Sequence, residues 1–175
     1  DSTTALEPLP LLVNVNTQNV NNDECDRRAS PLIIQTKKDE RLSFSKESQW
    51  PVFFDLLGQN SFRFGRESTQ KIPLSWIEQP SFMFLVRPIR TRNGTPVVNG
   101  IDQLFGDNTT GPDGKTAENG FAALKKFDAN HDGLITRQDP VFSELGLWSD
   151  TNLDGKTTLD ELKSLGDLKI QVIDL

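Results

Sequence analysis

Apolar positions fall into two textures along the chain. Residues 31–98 carry short apolar or alternating runs: PLII, WPVFF, FRF, FMFLV and PVV, separated by Pro, Gly, Ser and Gln. Runs of that length between turn-forming residues predict short strands. After Asn99 the spacing lengthens to three and four. Ala117, Phe121, Leu124 and Phe127 lie on one face of a helix expected over residues 116–127. A second helix is expected over 140–147, with Asp139 as N-cap, Pro140 as first residue and Val141, Phe142, Leu145 and then Trp148 inward. A third is expected over 158–165. Thr158 and Glu161 stand at capping-box spacing, Leu159, Leu162 and Leu165 face inward, and Gly166 takes the C-cap. The tail KIQVIDL alternates like a closing strand. Residues 1–30 are rich in Asn, Thr and Pro with one apolar run, LLVNV, and read as an arm or linker. The fold class expected is α+β: a β-rich region over 31–98 packed on a helical C-terminal lobe over 99–175.

Between the expected helices lie two acidic turns. An EF-hand-type loop places oxygen ligands at positions 1, 3, 5, 7, 9 and 12 and glycine at 6, because calcium takes six to eight oxygens and the chain must bend sharply around it. Asp128, Asn130, Asp132, Leu134 (through its carbonyl), Thr136 and Asp139 fit one such loop, with Gly133 at the bend. Asp150, Asn152, Asp154, Lys156 (carbonyl), Thr158 and Glu161 fit a second, with Gly155 at the bend. Two matches with a carboxylate at position 12 each are far more specific than one; the bland alternative is a pair of Asp/Asn/Gly surface turns. Two calcium ions are therefore expected. Asp139 is one methylene shorter than Glu161, so the first loop is expected to be the weaker site or to admit magnesium. The loops begin 22 residues apart and only ten residues separate them. That leaves no room for two helices between them, so a static pair is expected and not a hand that opens onto a peptide.

Charge agrees with a cation partner. Residues 1–101 hold 11 acids and 12 bases, whereas residues 102–175 hold 14 acids and 7 bases. An acidic half repels nucleic acid and anionic membrane. No apolar run approaches the roughly 20 residues of a membrane-spanning helix, and no signal peptide is visible at the N-terminus. The one cysteine, Cys25, excludes an internal disulfide. His131, the one histidine, stands at loop position 4, pointing to solvent, so a zinc or catalytic role is not expected. Phe53, Phe54, Trp76, Phe82, Phe84 and Trp148 read as core. Asn93-Gly-Thr95 and Asn108-Thr-Thr110 match a glycosylation pattern and read as ordinary turns. Asp107 and Asp113 in GDNTTGPDG are candidates for a further calcium turn.

The stretches NGIDQLFGD, DGKTAENGFAAL and DANHDGLITRQDPVFSELGLWSDTNLDGKTTLDEL together resemble the EF-hand calcium-binding module of RTX-type (haemolysin-type) secreted bacterial proteins. That module is related to the calcium-dependent self-processing module, which cleaves an Asp-Pro bond. The resemblance is dense over residues 99–175. Upstream, PLIIQTKKDE, FFDLLGQN, LSWI and RTRNGTPVVNG stand where the family has strands and calcium loops, with most acidic ligands missing. It implies a secreted, surface-exposed or periplasmic bacterial protein, stabilised by calcium and contacting another protein or a cell-surface component. In the self-processing relatives the Asp attacks its own carbonyl just before the module's first Pro-Leu. Here that position is Ser30-Pro31, without a carboxylate, so no enzyme is expected. Two alternatives are a calcium-triggered Asp-Pro self-processing module, inactive with Ser30-Pro31 at the expected cleavage site, and a dockerin-like docking module. Asp139 at position 12 favours the latter; the short spacing and the long upstream region oppose it.

Overall fold

The computed structural model describes residues 31–46, 48–56 and 71–175. Expectations for the N-terminal arm, Cys25, Ser30 and the FRF run lie outside them. The centre is a four-stranded antiparallel sheet, order β1-β4-β8-β9, built from β1 (Ile33–Gln35), β4 (Phe82–Val86), β8 (Gly146–Trp148) and β9 (Leu162–Ser164). Two of these strands come from before Asn99 and two from after it. The run FMFLV explains the arrangement. All five of its residues are buried, as a strand covered on both faces requires. Met83 and Leu85 point to one side, into a cluster with Ile34, Phe105, Leu124, Ile135, Leu147 and Leu165. Phe82, Phe84 and Val86 point to the other, with Val52, Phe54, Trp76 and Trp148. The register Ile33↔Phe84↔Trp148↔Leu162 carries one row across the whole sheet.

The second cluster is aromatic. Trp148 lies 5.7 Å from Phe54, 5.8 Å from Trp76 and 5.9 Å from Phe84, centroid to centroid, all tilted or edge-on. Such contacts contribute about 0.5–1.5 kcal/mol each beyond area burial. They offset a cost, since the Trp76 and Trp148 indole N–H groups are buried without acceptors.

Among the described residues three two-stranded ribbons accompany the sheet: β2 (Val52–Phe54) with β3 (Ile72–Leu74), β5 (Ile89–Arg90) with β6 (Pro96–Val97), and β7 (Leu134–Ile135) with β10 (Ile173–Asp174). The expected closing strand is β10, shorter than its alternation suggested. Phe53 departs from the expected core. It alternates outward between buried Val52 and Phe54 and is 51% exposed.

The helical C-terminal lobe is overturned. Among the described residues the α-helix content is one segment, α1 (Gly120–Lys125). It occupies half of the expected 116–127 because Asn119 caps it: the Asn119 side chain accepts from the Ala122 N–H at 2.9 Å. Residues 140–147 divide. Pro140–Glu144 form a 3-10 turn, and Gly146–Trp148 enter the sheet as β8. The sheet wins because Leu147 and Trp148 bury opposite faces in it, both at 0% exposure, which a helix could not achieve. Residues 158–165 also fail to coil. Leu162–Ser164 pair with β8, Leu159 is 65% exposed, and the left-handed residue after them is Lys169, not Gly166. Spacing by three suggested a helix, and tertiary pairing overrode it.

The two outward-and-inward residues offer a measurement. Leu85→Ala should cost about 2–5 kcal/mol and Phe53→Ala less than about 0.5 kcal/mol, read from urea unfolding. Equal costs would contradict the placement of β2.

Candidate metal centre

The two acidic turns have the same internal hydrogen-bond plan. In the first, Asp128 Oδ1 accepts from the Asp132 N–H (3.3 Å) and Oδ2 from the Gly133 N–H (2.9 Å). In the second, Asp150 Oδ1 accepts from Asp154 (3.1 Å) and Oδ2 from Gly155 (2.9 Å). Asn130 Oδ1 and Asn152 Oδ1 accept from the same two N–H groups, those of Asp132 and Asp154. Asp132 Oδ1 accepts from Leu134 and Asp154 Oδ1 from Lys156, at 2.9 and 2.8 Å. Position 4 is left-handed in both, His131 at φ 59° and Leu153 at φ 59°, and so is the glycine after it, Gly133 at 82° and Gly155 at 66°. A left-handed non-glycine residue costs roughly 1–2 kcal/mol. The same strain at the same position twice marks one conformation built twice.

Position 12 closes each turn. Asp139 Oδ1 accepts from the Ala129 N–H (2.8 Å) and Oδ2 from Thr136 (2.9 Å). It makes no side-chain cap to the following 3-10 turn, so the expected capping role belongs to its backbone alone. Glu161 Oε1 accepts from the N–H and hydroxyl of Thr151 and the N–H of Asn152, and Oε2 from the N–H and hydroxyl of Thr158. The Thr151 hydroxyl was not singled out in the sequence; a threonine at position 2 carries no motif signal. Thr136 Oγ1 accepts from the Gln138 N–H, and Gln138 Oε1 accepts from the Asn130 amide.

Electrostatics sharpen the picture. In each turn the acids at positions 1 and 12 are buried and those between them are exposed. Asp128, Asp139, Asp150 and Glu161 are at most 4% exposed, while Asp132 and Asp154 face solvent. Among the described residues the ion pairs are Arg87–Glu144 and Lys126–Asp113, and neither reaches the four buried acids. Burial pushes Asp150 above its ordinary value, and the charges of Glu161 and Asp154 add to that rise. Burial pushes Glu161 up as well, but hydrogen bonds from Thr158, Asn152 and Thr151 outweigh it and leave the group lowered. The Thr136 N–H, with those of Ala129 and Asn130, holds Asp139 down against burial.

A carboxylate offers about four lone-pair sites, so one N–H bond per oxygen, as at Asp128, Asp139 and Asp150, leaves directions for a cation, whereas Glu161 accepts from five donors and would exchange some of them for an ion. Among the described residues no three His, Cys, Asp or Glu side chains gather closely enough to grip an ion by themselves. The donor set that these turns offer is mixed, with Asn130, Asn152 and the Leu134 and Lys156 carbonyls beside the acids, and Asp132 and Asp154 on the solvent side, each accepting from the N–H two residues on. All-oxygen donors of this kind suit a hard cation.

The Asp107/Asp113 turn differs. The Lys126 ammonium lies against Asp113 Oδ2 (3.0 Å) and Oδ1 (3.2 Å) and the carbonyls of Lys115 (3.1 Å) and Thr116 (3.0 Å). A tethered cation already fills that corner, and it holds Asp113 below its ordinary value.

The SPM domain family matches residues 48–175, nearly three-quarters of the chain. The chain belongs to the SPM domain family. Half of it, 87 residues, is 41% identical to the iron-regulated protein FrpA of Neisseria meningitidis serogroup C, of which it covers 8%. This SPM domain thus corresponds to a small part of that much longer relative. No helix among its described residues is long and apolar enough to cross a membrane.

The two bend glycines separate conformation from packing. A Cβ on Gly133 would meet open space, whereas one on Gly155 would run into the Phe53 carbonyl and Val52. Gly133→Ala should cost about 1 kcal/mol and Gly155→Ala about 2–4 kcal/mol in chemical denaturation. A larger loss at Gly133 would contradict this packing.

Proposed function

We propose that the chain is a calcium-binding structural and interaction module of a secreted or surface bacterial protein, in which the ions lock the folded form. The observation that carries this reading is the pair of buried acids in each of two turns that share their hydrogen bonds at positions 1, 3 and 5, with no cationic side chain beside them among the described residues. Such groups repel one another at short range, and a divalent ion held by both would turn the repulsion into stabilisation. The ligands proposed are those of the two loops: Asp128, Asn130, Asp132, Leu134, Thr136 and Asp139, and Asp150, Asn152, Asp154, Lys156, Thr158 and Glu161. Calcium supplies a hard, multiply charged centre with a loose coordination shell; magnesium is the competing occupant of the first loop, where Asp139 is short.

The bacterial relative and the resemblance to secreted calcium-binding modules support an extracellular setting, where calcium is abundant. Exposed Trp50 (72%), Phe53 and Phe44 (51% each) lie in the upstream β-rich part and are the side chains we assign to partner contact. We read the domain as non-enzymatic. Position 30, before Pro31-Leu32, is a serine. At the other candidate bond, Asp139-Pro140, attack on the backbone carbonyl would require the Asp139 carboxylate to leave the Ala129 and Thr136 N–H groups that hold it.

Calcium titration of the whole chain should show two ions bound and a rise in Tm of about 5–10 °C at saturating ion. Asp132→Ala and Asp154→Ala should each remove one ion, and calorimetry should find the first loop weaker than the second. Two ions bound to both variants as in wild type would reject the ligand assignment. Incubation with millimolar calcium followed by a denaturing gel should leave a single intact band; fragments ending at Ser30 or Asp139 would reject the non-enzymatic reading.

A further inference from the structure

Position 8 is where each turn reaches its surroundings. In the first, Ile135 pairs through its backbone with Ile173 of β10, and the Leu175 N–H donates to the Gly133 carbonyl at 3.1 Å. The second turn does something different. Thr157 uses its side chain: the hydroxyl accepts from the Val98 N–H at 2.9 Å and donates to the Val98 carbonyl at 3.0 Å. One hydroxyl therefore satisfies both main-chain polar groups of a residue 59 positions upstream. Val98 is 1% exposed, so without that oxygen water would not readily replace the lost bonds.

The links continue beyond Val98. Gly100 bridges Asp55, and the Ile101 N–H donates to the Asp55 carbonyl at 2.8 Å. Asp55 directly follows β2, whose Phe53 carbonyl abuts Gly155 of the same turn. Thr157 also stands between two proposed ligands, the Lys156 carbonyl and Thr158. Fixing Thr157 fixes the direction in which both present oxygen.

We propose that Thr157 is a positioning residue for the second loop: a hydroxyl clip that couples ion binding there to segment 98–101. The first loop, strapped to the C-terminal strand instead, loads independently. This rests on the calcium reading above. Coupling of this kind is reciprocal, so an ion that gains from the clip must also tighten it. The two turns do not pair with each other through position 8, which removes the route by which one loop would report to its twin.

The test uses Thr157→Val, which keeps the shape and removes the hydroxyl, and Thr157→Ser, which restores it, in the full chain with calcium chloride. Calorimetry should show second-site affinity lowered about tenfold in Thr157→Val, one hydrogen bond's worth, with the first site within about twofold of wild type. Thr157→Ser should recover most of the loss. In amide exchange of the wild type, calcium should slow the Val98 N–H, and in Thr157→Val that response should vanish. Equal weakening of both sites, no rescue by serine, or a Val98 amide indifferent to calcium would each overturn the clip. Should Thr157→Val not fold, the serine variant and the wild-type exchange decide alone. Wild type that takes up no calcium would remove the calcium reading and the clip together; two-ion uptake with an unmoved Val98 would remove the clip only.

Discussion

Buried negative charge is the constraint around which this chain is arranged. Asp128, Asp139, Asp150 and Glu161 are at most 4% exposed, and the groups that face them are backbone N–H donors of their own turns, joined at Glu161 by the Thr151 and Thr158 hydroxyls. An N–H bond lowers the cost of such a carboxylate but does not cancel its charge. The remainder of the fold holds these turns in shape while that charge stays in place. The sheet does much of this, since β8 runs from the core straight into Asp150 and β9 leaves just after Glu161. The aromatic cluster around Trp148 fixes the point at which the second turn begins.

The parts of this arrangement that lie within a dozen residues were legible. The spacing Asp-x-Asn-x-Asp-Gly with a distant acid marks a turn whose side chains must fold back onto its own N–H groups, and both turns do so with the same bonds at positions 1, 3 and 5. FMFLV, too short for a buried helix and apolar without a break, reads as a strand and lies at the centre of the sheet. Two of the three expected helices failed; the first survives over half its span as α1. Leu159, Leu162 and Leu165 have helical spacing, but a spacing of three says nothing of whether a neighbouring strand with an open edge is available, and β8 is. Phe53 misled for a related reason: aromatic residues are usually core, yet alternation in a three-residue strand puts the middle one outside.

What was illegible acts across long separations. Nothing near Thr157 announces that its hydroxyl meets Val98, and nothing near Lys126 announces that its ammonium meets the turn at Asp113. Each is an ordinary residue until the chain returns. The two acidic turns are alike inside and unlike outside, one strapped by a strand and the other clipped by a side chain. Internal likeness is set by what the local motif demands. External difference is set by which segment the sheet brings alongside, and the sheet is asymmetric.

Lys126 gives this asymmetry a last turn. Four oxygens converge on its ammonium, so that corner carries its counter-charge on a covalent leash, immune to dilution and to chelators. It therefore has no binding curve. A protein with that corner filled by its own ammonium keeps a fixed landmark two residues before Asp128, from which helix α1 and the first turn are already aimed.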